Sequence, residues 1–237
     1  MNDLFIRSLS IDWDEVPPDS YLRSIPALRT LDRMDFRAGV TFFSGENGTG
    51  KSTLLEAVAV AYGFNAEGGT RNYHFSTYRD LSGLDEAVRL VRGYRRRSSG
   101  YFFRAESFFN VATAALAEYN DDGRMPDYHA QSHGESFLSF LQSDCREGVY
   151  LMDEPEAALS PQRQLTLLLH LHQMAKSGSQ FIIATHSPIL LGLPEAVILN
   201  FGEDGIRPVV WQDTESYRLT KLFLERRDRL LEQMFED

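Results

Sequence analysis

A run of residues near the start of the chain has the types and spacing that bind phosphate. Residues 45–53 read Gly-Glu-Asn-Gly-Thr-Gly-Lys-Ser-Thr, a complete Gly-x4-Gly-Lys-Ser pattern. The glycines let backbone N–H groups approach a phosphate chain, and a following helix would add its positive end. Lys51 is placed to reach the β and γ phosphates, and the Ser52 hydroxyl to ligate Mg2+. A nucleoside triphosphate is therefore expected at Gly45, Glu46, Asn47, Gly48, Thr49, Gly50, Lys51, Ser52 and Thr53.

Two adjacent carboxylates form the second candidate site element. Apolar residues 149–152 run directly into Asp153 and Glu154, which Pro155 follows. Neighbouring residues at a strand end point in different directions, so the two carboxylates can serve two roles. We expect Asp153 to ligate Mg2+ directly or through its water, and Glu154 to be the base that orients the attacking water. The alternative is a solvated acidic turn before Pro155.

The elements that must position these residues follow a mixed α/β pattern. An apolar strand at 40–43 enters the phosphate loop, and apolar residues at helical spacing run from 52 to 62, where Gly63 ends the helix. Ser160 and Pro161 form an N-cap and first-turn pair for another helix. Further strands are predicted at 4–12, 148–152 and 180–185, with a hairpin of 196–200 and 206–211 and a final helix from about 214.

Length and composition are typical of one large enzyme domain spanning 1–237. We expect a nucleotide-binding core of 1–63 and 149–237, interrupted by an inserted lobe of 64–148. The only cysteine, Cys145, suits a reducing compartment. No apolar run approaches the roughly 20 residues that span a bilayer. A cytoplasmic location without membrane insertion is therefore expected.

Three further segments resemble the motifs of a known family. Residues 154–160 resemble the Walker B glutamate and D-loop of ABC-type ATPases, residues 185–188 resemble their switch histidine segment, and residues 132–135 resemble their signature motif. Together with the phosphate loop, these segments make the chain similar to predicted bacterial ABC-class ATPases, akin to the nucleotide-binding heads of the SMC, Rad50 and RecF group.

The resemblance implies a fold and a mechanism. The fold would be α/β, a P-loop NTPase of the ABC-ATPase type, with a mostly parallel core sheet flanked by helices, an N-terminal antiparallel β part and an inserted helical lobe. The cofactors would be ATP and Mg2+, with Lys51, Glu154 and His186 as the catalytic residues. Two copies would form an ATP-dependent homodimer in which one copy's signature, Ser132, His133, Gly134 and Glu135, closes over the other's phosphate loop. A capped helix start at 132–136 and a structural role for His186 remain the alternatives.

The chain also departs from the family pattern. Family members usually have a glutamine after the strand that precedes the lobe, whereas the corresponding strand here ends at Glu106. Glu106 could meet Mg2+ or its water, or form a salt bridge with Arg104 or another arginine. His133 stands where the signature usually has glycine, and a side chain there could change the geometry of the sandwich or its pH response.

The leading functional hypothesis is Mg-dependent ATP hydrolysis by a stand-alone dimeric switch in DNA maintenance, or in a defence or stress module, with a separately encoded effector. The alternatives are the ATPase subunit of a membrane transporter and a regulator that holds ATP with little turnover. A basic stretch is the best candidate for a DNA contact, although a solvated surface is the alternative reading. It comprises Arg89, Arg92, Arg95, Arg96 and Arg97.

Overall fold

The fold was obtained as a computed structural model, which describes residues 4–66, 68–69, 83–95, 99–104, 138, 141 and 146–235. Its centre is a six-stranded sheet. The strands are β3 (Val40–Gly45), β5 (Ser99–Arg104), β6 (Gly148–Asp153), β7 (Gln180–Ala184), β8 (Val197–Gly202) and β9 (Gly205–Val209). Their order across the sheet is β5-β6-β7-β3-β8-β9. All neighbours are parallel except β8 and β9, which form an antiparallel hairpin as the sequence predicted.

A second, smaller sheet is antiparallel and lies near the N-terminus. It consists of β1 at Ile6–Ile11, β2 at Arg33–Asp35 and β4 at Val88–Arg92, in the order β2-β1-β4. The predicted N-terminal antiparallel part is thus confirmed. The described helices are α1 (Pro26–Arg29), α2 (Lys51–Tyr62), α3 (Leu84–Ala87), α4 (Pro161–Lys176) and α5 (Glu215–Phe235).

The two faces of the central sheet bury alternate residues. Phe43, Leu151 and Ile182 share one hydrophobic cluster with α2 and the small sheet. Phe42, Met152 and Ile183 share a second cluster with α4. Near-continuous apolar strands are expected of a parallel sheet that is covered on both sides. The result is three layers, with the carboxyl ends of β3, β6 and β7 at one edge.

One side chain joins the two sheets directly. Gln180 opens β7 and is completely buried. Its amide oxygen accepts a hydrogen bond from the Ile6 N–H at 2.8 Å, and its amide nitrogen donates to the Ile6 carbonyl at 2.9 Å. Gln180 thus pairs with a β1 residue as a neighbouring strand would, which fixes the small sheet against the large one.

The strands β4 and β5 fall within the range 64–148 that was assigned to an inserted lobe. β4 pairs with β1, and β5 pairs in parallel with β6, so residues 88–92 and 99–104 belong to the sheets. The expected boundary at residue 64 therefore lies too early for these strands, because long-range pairing rather than local polarity decides where they belong. Most of 105–145 lies outside the described residues, including Cys145. None of the described helices is long and apolar enough to cross a membrane.

Candidate functional site

The phosphate loop connects β3 to α2, as predicted. Gly45, Gly48 and Gly50 have φ angles of +134°, +79° and +93°, a region that L side chains rarely adopt. A Cβ on Gly45 would lie 2.3 Å from the Phe201 carbonyl oxygen, whereas a Cβ on Gly48 would meet nothing within 4 Å. Gly45 is thus required by the packing of β8, and Gly48 by the backbone conformation alone. The Thr49 hydroxyl donates to the Glu46 carbonyl at 2.8 Å and closes the loop.

Lys51 is the buried cation of the loop. It is only 4% exposed, and its ammonium group donates to the carbonyls of Gly45 at 2.8 Å and Glu46 at 2.7 Å. Burial lowers the pKa of Lys51, while nearby carboxylates, Glu154 and Asp153 foremost, oppose that shift. The side chain is therefore curled over the loop, at the place where a phosphate group would be cradled.

Ser52 and Asp153 meet across the site. The Ser52 hydroxyl, in the first turn of α2, donates to Asp153 Oδ1 at 2.8 Å, and Asp153 ends β6. A hydroxyl and a carboxylate are the hard oxygen donors that Mg2+ prefers. Among the described residues, no group of three or more His, Cys, Asp or Glu side chains could hold a metal by itself. The two oxygens of Ser52 and Asp153 fit Mg2+, which is usually held by few protein oxygens together with substrate phosphates and water.

Glu154 and His186 lie next to this pair. Glu154 has a left-handed backbone, with φ of 48° and ψ of 53°, and its N–H donates to the Ala184 carbonyl of β7 at 2.9 Å. The imidazole Nε2 of His186 is 3.8 Å from Glu154 Oε1. Burial lowers the pKa of His186, and the Lys51 charge lowers it further, so the neutral imidazole is favoured. A strained, non-glycine backbone at the proposed base is typical of functional positions.

Glu156 was not predicted as an individual site residue, although it lies within the D-loop resemblance. Its Oε1 accepts a hydrogen bond from the His186 backbone N–H at 2.6 Å. Burial raises the pKa of Glu156, although N–H groups and the Thr185 side chain lower it in part. Glu156 thus ties the turn after β6 to the segment after β7. Its position two residues after Glu154 was the available sequence signal for a role in the site. No local pattern indicates that it binds the His186 backbone.

The segment that carries His186 has its own support. The Ser187 hydroxyl donates to the Gln164 side chain of α4 at 2.5 Å and accepts N–H bonds from Ile189 and Leu190, each at 3.1 Å. The Gln164 amide in turn donates to the Leu159 carbonyl at 3.1 Å. The backbone around His186 is therefore fixed by hydrogen bonds that leave the imidazole facing the site.

A half-buried ion pair lies behind the Mg2+-binding candidates. Arg104 ends β5 in register with Asp153, and its guanidinium contacts Glu56 of α2 at 2.7 Å. Burial raises the pKa of Glu56, while Arg104 lowers it. The candidate Glu106 and the signature residues Ser132, His133, Gly134 and Glu135 lie outside the described residues. The sequence offered Arg104 only as a partner for Glu106. Its contact with Glu56 depends on how α2 packs against β5, which no local pattern indicates.

The described arginines of the basic stretch bind the chain itself. Arg89 donates to the Glu86 carbonyl, Arg92 to the Ala61 carbonyl at 2.9 Å, and Arg95 to the Gly178 carbonyl at 2.9 Å. Arg95 also pairs with Glu147 at 2.5 Å. These contacts favour a structural role for the three arginines over a nucleic-acid surface. Arg96 and Arg97 lie outside the described residues.

A cleft of about 400 Å3 opens beside the phosphate loop. One wall is Ser44, Gly45, Glu46 and Asn47 with His186, and the other is the first turn of α5, with Glu215, Ser216 and Leu219. The sequence predicted the final helix but not its position beside the phosphate loop. No local pattern indicates that a helix starting about 30 residues after His186 returns to the phosphate loop.

Comparison with known families matches both halves of this site. A model described as "AAA domain" matches residues 21–100, which contain the phosphate loop. A second, described as "AAA domain, putative AbiEii toxin, Type IV TA system", matches residues 136–192, which contain Asp153, Glu154 and His186. Both matches, each over less than half of the chain, support an ABC-class P-loop ATPase. The two matches fall on the segments that the six-stranded sheet brings to one edge.

Individual relatives are more distant. The chain is 25% identical over 186 residues to the galactofuranose transporter ATP-binding protein YtfR of Escherichia coli K12. That alignment covers 68% of this chain but only 37% of the relative, so the chain spans about a third of the length of the curated protein that it matches.

One similar solved structure is cbiO1 of Clostridium perfringens, which is part of the ABC transporter complex cbiONQ. It is 16% identical to this chain and has a TM-score of 0.48. The alignment covers 98% of this chain and 99% of that chain. The SMC head domain of Thermotoga maritima is 13% identical, with 87% and 99% covered and a TM-score of 0.47.

Proposed function

We propose that this chain is a Mg-dependent ATPase that hydrolyses ATP between two copies of itself and acts as a nucleotide-controlled switch. The observation that carries the proposal is the contact of Ser52 with Asp153 at 2.8 Å, with Glu154 following in the chain. A phosphate cradle, a pair of oxygen donors for Mg2+ and a further carboxylate thus lie at one edge of the sheet. This set is what phosphoryl transfer to water requires.

Each residue has a defined part in this proposal. The loop N–H groups and Lys51 would bind the phosphates of ATP, and Lys51 would exchange its two carbonyl contacts for phosphate oxygens. Ser52 and Asp153 would hold Mg2+, which would neutralise phosphate charge when bound. Glu154 would accept a hydrogen bond from the attacking water and orient it. His186 would contact the γ phosphate from the segment after β7.

Dimerisation is proposed because the described site is open on one side. Glu154 and His186 have side chains that are 45% and 37% exposed. Water must be excluded from around a reacting phosphate for charge stabilisation to be effective. A second copy closing over the loop would exclude it, and the segment 132–135 is the proposed contact. The description of the second matching family includes a type IV TA system, which supports a defence or stress module over DNA maintenance.

The transporter alternative rests on the curated relative, whose name is that of a transporter ATP-binding protein. It predicts that the chain co-purifies with a membrane protein when expressed in its own host. The switch proposal predicts a separately encoded effector or DNA instead. Retention of DNA only in the presence of ATP would support the latter, and the structural roles of Arg89, Arg92 and Arg95 indicate that such DNA would bind elsewhere.

The decisive experiment compares Glu154→Gln with Lys51→Met. Removal of the water-orienting carboxylate should lower kcat roughly 100-fold or more while ATP remains bound. Light scattering after size exclusion should then show a dimer of Glu154→Gln only with Mg-ATP. Lys51→Met should bind no ATP and form no ATP-dependent dimer. A Glu154→Gln variant as active as the wild type would remove Glu154 as the base, and an unchanged mass with ATP bound would remove the sandwich.

A further inference from the structure

Glu156 holds the segment after β7 through one oxygen of its carboxyl group. Its Oε1 accepts a hydrogen bond from the His186 backbone N–H at 2.6 Å, and the Thr185 side chain hydrogen-bonds to the same carboxyl group. Its Oε2 is buried and has no hydrogen-bond partner in the part of the chain that the structure describes. A buried polar atom without a partner costs free energy, so a native structure that keeps one needs an explanation.

Stability alone does not explain an acid at position 156. Burial raises the pKa of Glu156 because it disfavours the charged carboxylate, and one of the two oxygens is left without a partner. An apolar side chain would avoid both costs, but it would leave the His186 N–H without its acceptor. The carboxyl group therefore serves the segment that carries His186 rather than the core.

The imidazole of His186 depends on its backbone for its position. Its Nε2 is buried and forms no hydrogen bond with any described residue. The Glu154 carboxylate lies 3.8 Å away, which is too far for a hydrogen bond. Because no hydrogen bond at Nε2 fixes the ring, the position of the ring follows the position of the His186 backbone.

Two cross-links fix that backbone segment against the turn after β6. The first is Glu156, which binds the His186 N–H. The second is Gln164 of α4, which accepts from the Ser187 hydroxyl at 2.5 Å and donates to the Leu159 carbonyl at 3.1 Å. The turn and the segment after β7 thus form one hydrogen-bonded unit, in which Glu156 makes the link to His186 itself.

The proposed base is held in a different way. Glu154 has a left-handed backbone, and its N–H donates to the Ala184 carbonyl of β7 at 2.9 Å. That bond does not involve the Glu156 carboxyl group. Loss of the carboxyl group should therefore displace His186 relative to Glu154 while Glu154 stays attached to the sheet.

We propose that Glu156 is a positioning residue, which holds the His186 backbone at the point from which the imidazole reaches the γ phosphate of ATP beside Glu154. This role rests on the proposed ATPase function and adds a residue to it. Glu156 would not touch ATP but would act through His186. A displacement of about 1 Å in a group that contacts the reacting atoms can lower a rate roughly 100-fold, so one backbone hydrogen bond is enough to matter.

The first test separates catalysis from binding. Glu156→Ala should lower kcat for ATP hydrolysis roughly 10- to 100-fold while KM changes less than about threefold, because the phosphate loop and Lys51 still bind ATP. Glu156→Asp, which keeps the charge but shortens the reach, should lower kcat in the same direction and serves if the alanine variant fails to fold. Glu156→Gln keeps an oxygen for the His186 N–H and should restore kcat to within about threefold of the wild type.

The matched control for a purely structural effect is Tyr150→Phe. It removes the hydrogen bond from the Tyr150 hydroxyl to the Arg146 carbonyl, at the amino end of β6. This variant should lower the free energy of unfolding but leave kcat unchanged. If folded Glu156→Ala and Glu156→Asp keep the kcat of this control, the positioning role is overturned.

A double-mutant cycle tests whether Glu156 acts through His186. His186→Ala should lower kcat by itself, and the addition of Glu156→Ala should lower it by less than about threefold more, because the positioned group is already absent. Two substitutions whose effects on kcat multiply in full would show that Glu156 acts on something other than His186 and would overturn the proposal.

A last readout does not depend on ATP hydrolysis. Glu156→Ala should shift the imidazole 1H–13C NMR signal of His186, which His186→Ala identifies among the six histidines. Tyr150→Phe should leave that signal in place. An unchanged signal in Glu156→Ala would overturn the positioning role. A wild-type chain that hydrolyses no ATP would overturn the proposed function instead, and a shifted signal would then still support the hold of Glu156 on His186.

Discussion

The Ser52 hydroxyl lies 2.8 Å from Asp153 Oδ1, although 101 residues separate the two in the chain. Ser52 lies in the first turn of α2 and Asp153 closes β6, so the contact depends on how α2 packs on the central sheet. Leu54 and Leu55, completely buried beside the loop, hold α2 in that position. The proposed Mg2+ site is thus a product of core packing rather than of either motif alone.

Removal of the Ser52 hydroxyl tests this relationship. Ser52→Ala should raise the Mg2+ concentration needed for ATP binding roughly 10- to 100-fold, because one proposed oxygen donor is lost and Asp153 loses its hydrogen bond. The measurement is fluorescent ATP-analogue binding titrated with Mg2+. Ser52→Thr keeps the hydroxyl and is the control. Equal Mg2+ requirements for Ala and Thr would show that Ser52 is not a ligand.

Two loop glycines should respond differently to the same substitution. Gly45→Ala should be strongly destabilising, because its Cβ would lie 2.3 Å from the Phe201 carbonyl oxygen. Gly48→Ala meets no atom within 4 Å, so only the left-handed backbone opposes it, at about 1 to 2 kcal/mol. Urea unfolding of both variants provides the comparison. Similar stabilities would contradict the role assigned to β8 in fixing the loop.

Gln180 should be essential to the attachment of the small sheet. Gln180→Met keeps a similar volume but leaves the Ile6 N–H and carbonyl unpaired, which should cost roughly 2 to 5 kcal/mol. Denaturant unfolding measures the change. Gln173→Met, at an exposed position of α4, is the matched control and should change stability by less than about 0.5 kcal/mol. A neutral Gln180→Met would mean that water or another group can replace the amide.

The ion pair between Arg104 and Glu56 should give a pH-dependent stability. The pKa of Glu56 is raised by burial and held down by Arg104, so Arg104→Met should raise it further. A carboxyl group whose pKa is raised on folding stabilises below its unfolded pKa, and that contribution is lost as pH rises through the folded pKa. Arg104→Met should therefore destabilise the protein by about 1 to 3 kcal/mol at pH 8 and less at pH 5.

The double variant is the control for this pH dependence. The variant that combines Glu56→Gln with Arg104→Met contains neither charged group of the pair. The extra loss of stability between pH 5 and pH 8 should therefore disappear. Thermal unfolding at both pH values measures it. A loss that persists in the double variant would assign the effect to another titrating group.

The sequence predicted the elements of this fold where a local pattern determines them. The phosphate loop, the strand before Asp153 and the hairpin of β8 and β9 each have their signal within about a dozen residues. Gly63 ends α2 with a left-handed backbone, as its position predicted. Local propensity and the tertiary structure agree at these places, which is the usual condition for a reliable prediction.

Contacts between distant segments had no such signal. β4 was assigned to an inserted lobe because its surroundings are polar and arginine-bearing, yet its pairing with β1 places it in the small sheet. The hydrogen bond between Glu156 and His186 joins residues 30 apart through the order of β6 and β7. The position of α5 beside the phosphate loop is likewise set by the path of the chain after β9, which residue spacing does not encode.

The position of β7 between β6 and β3 has a consequence for biosynthesis. β3 and its loop leave the ribosome early, but the strand that lies beside β3 and connects it to β6 is made more than 130 residues later. Until β7 takes its place between β6 and β3, the nascent chain has no continuous sheet edge at which the phosphate loop and Asp153 can meet. A polypeptide that ends before β7 therefore has both motifs of the candidate site without the strand that joins them, and the insertion of this one strand completes that edge of the sheet.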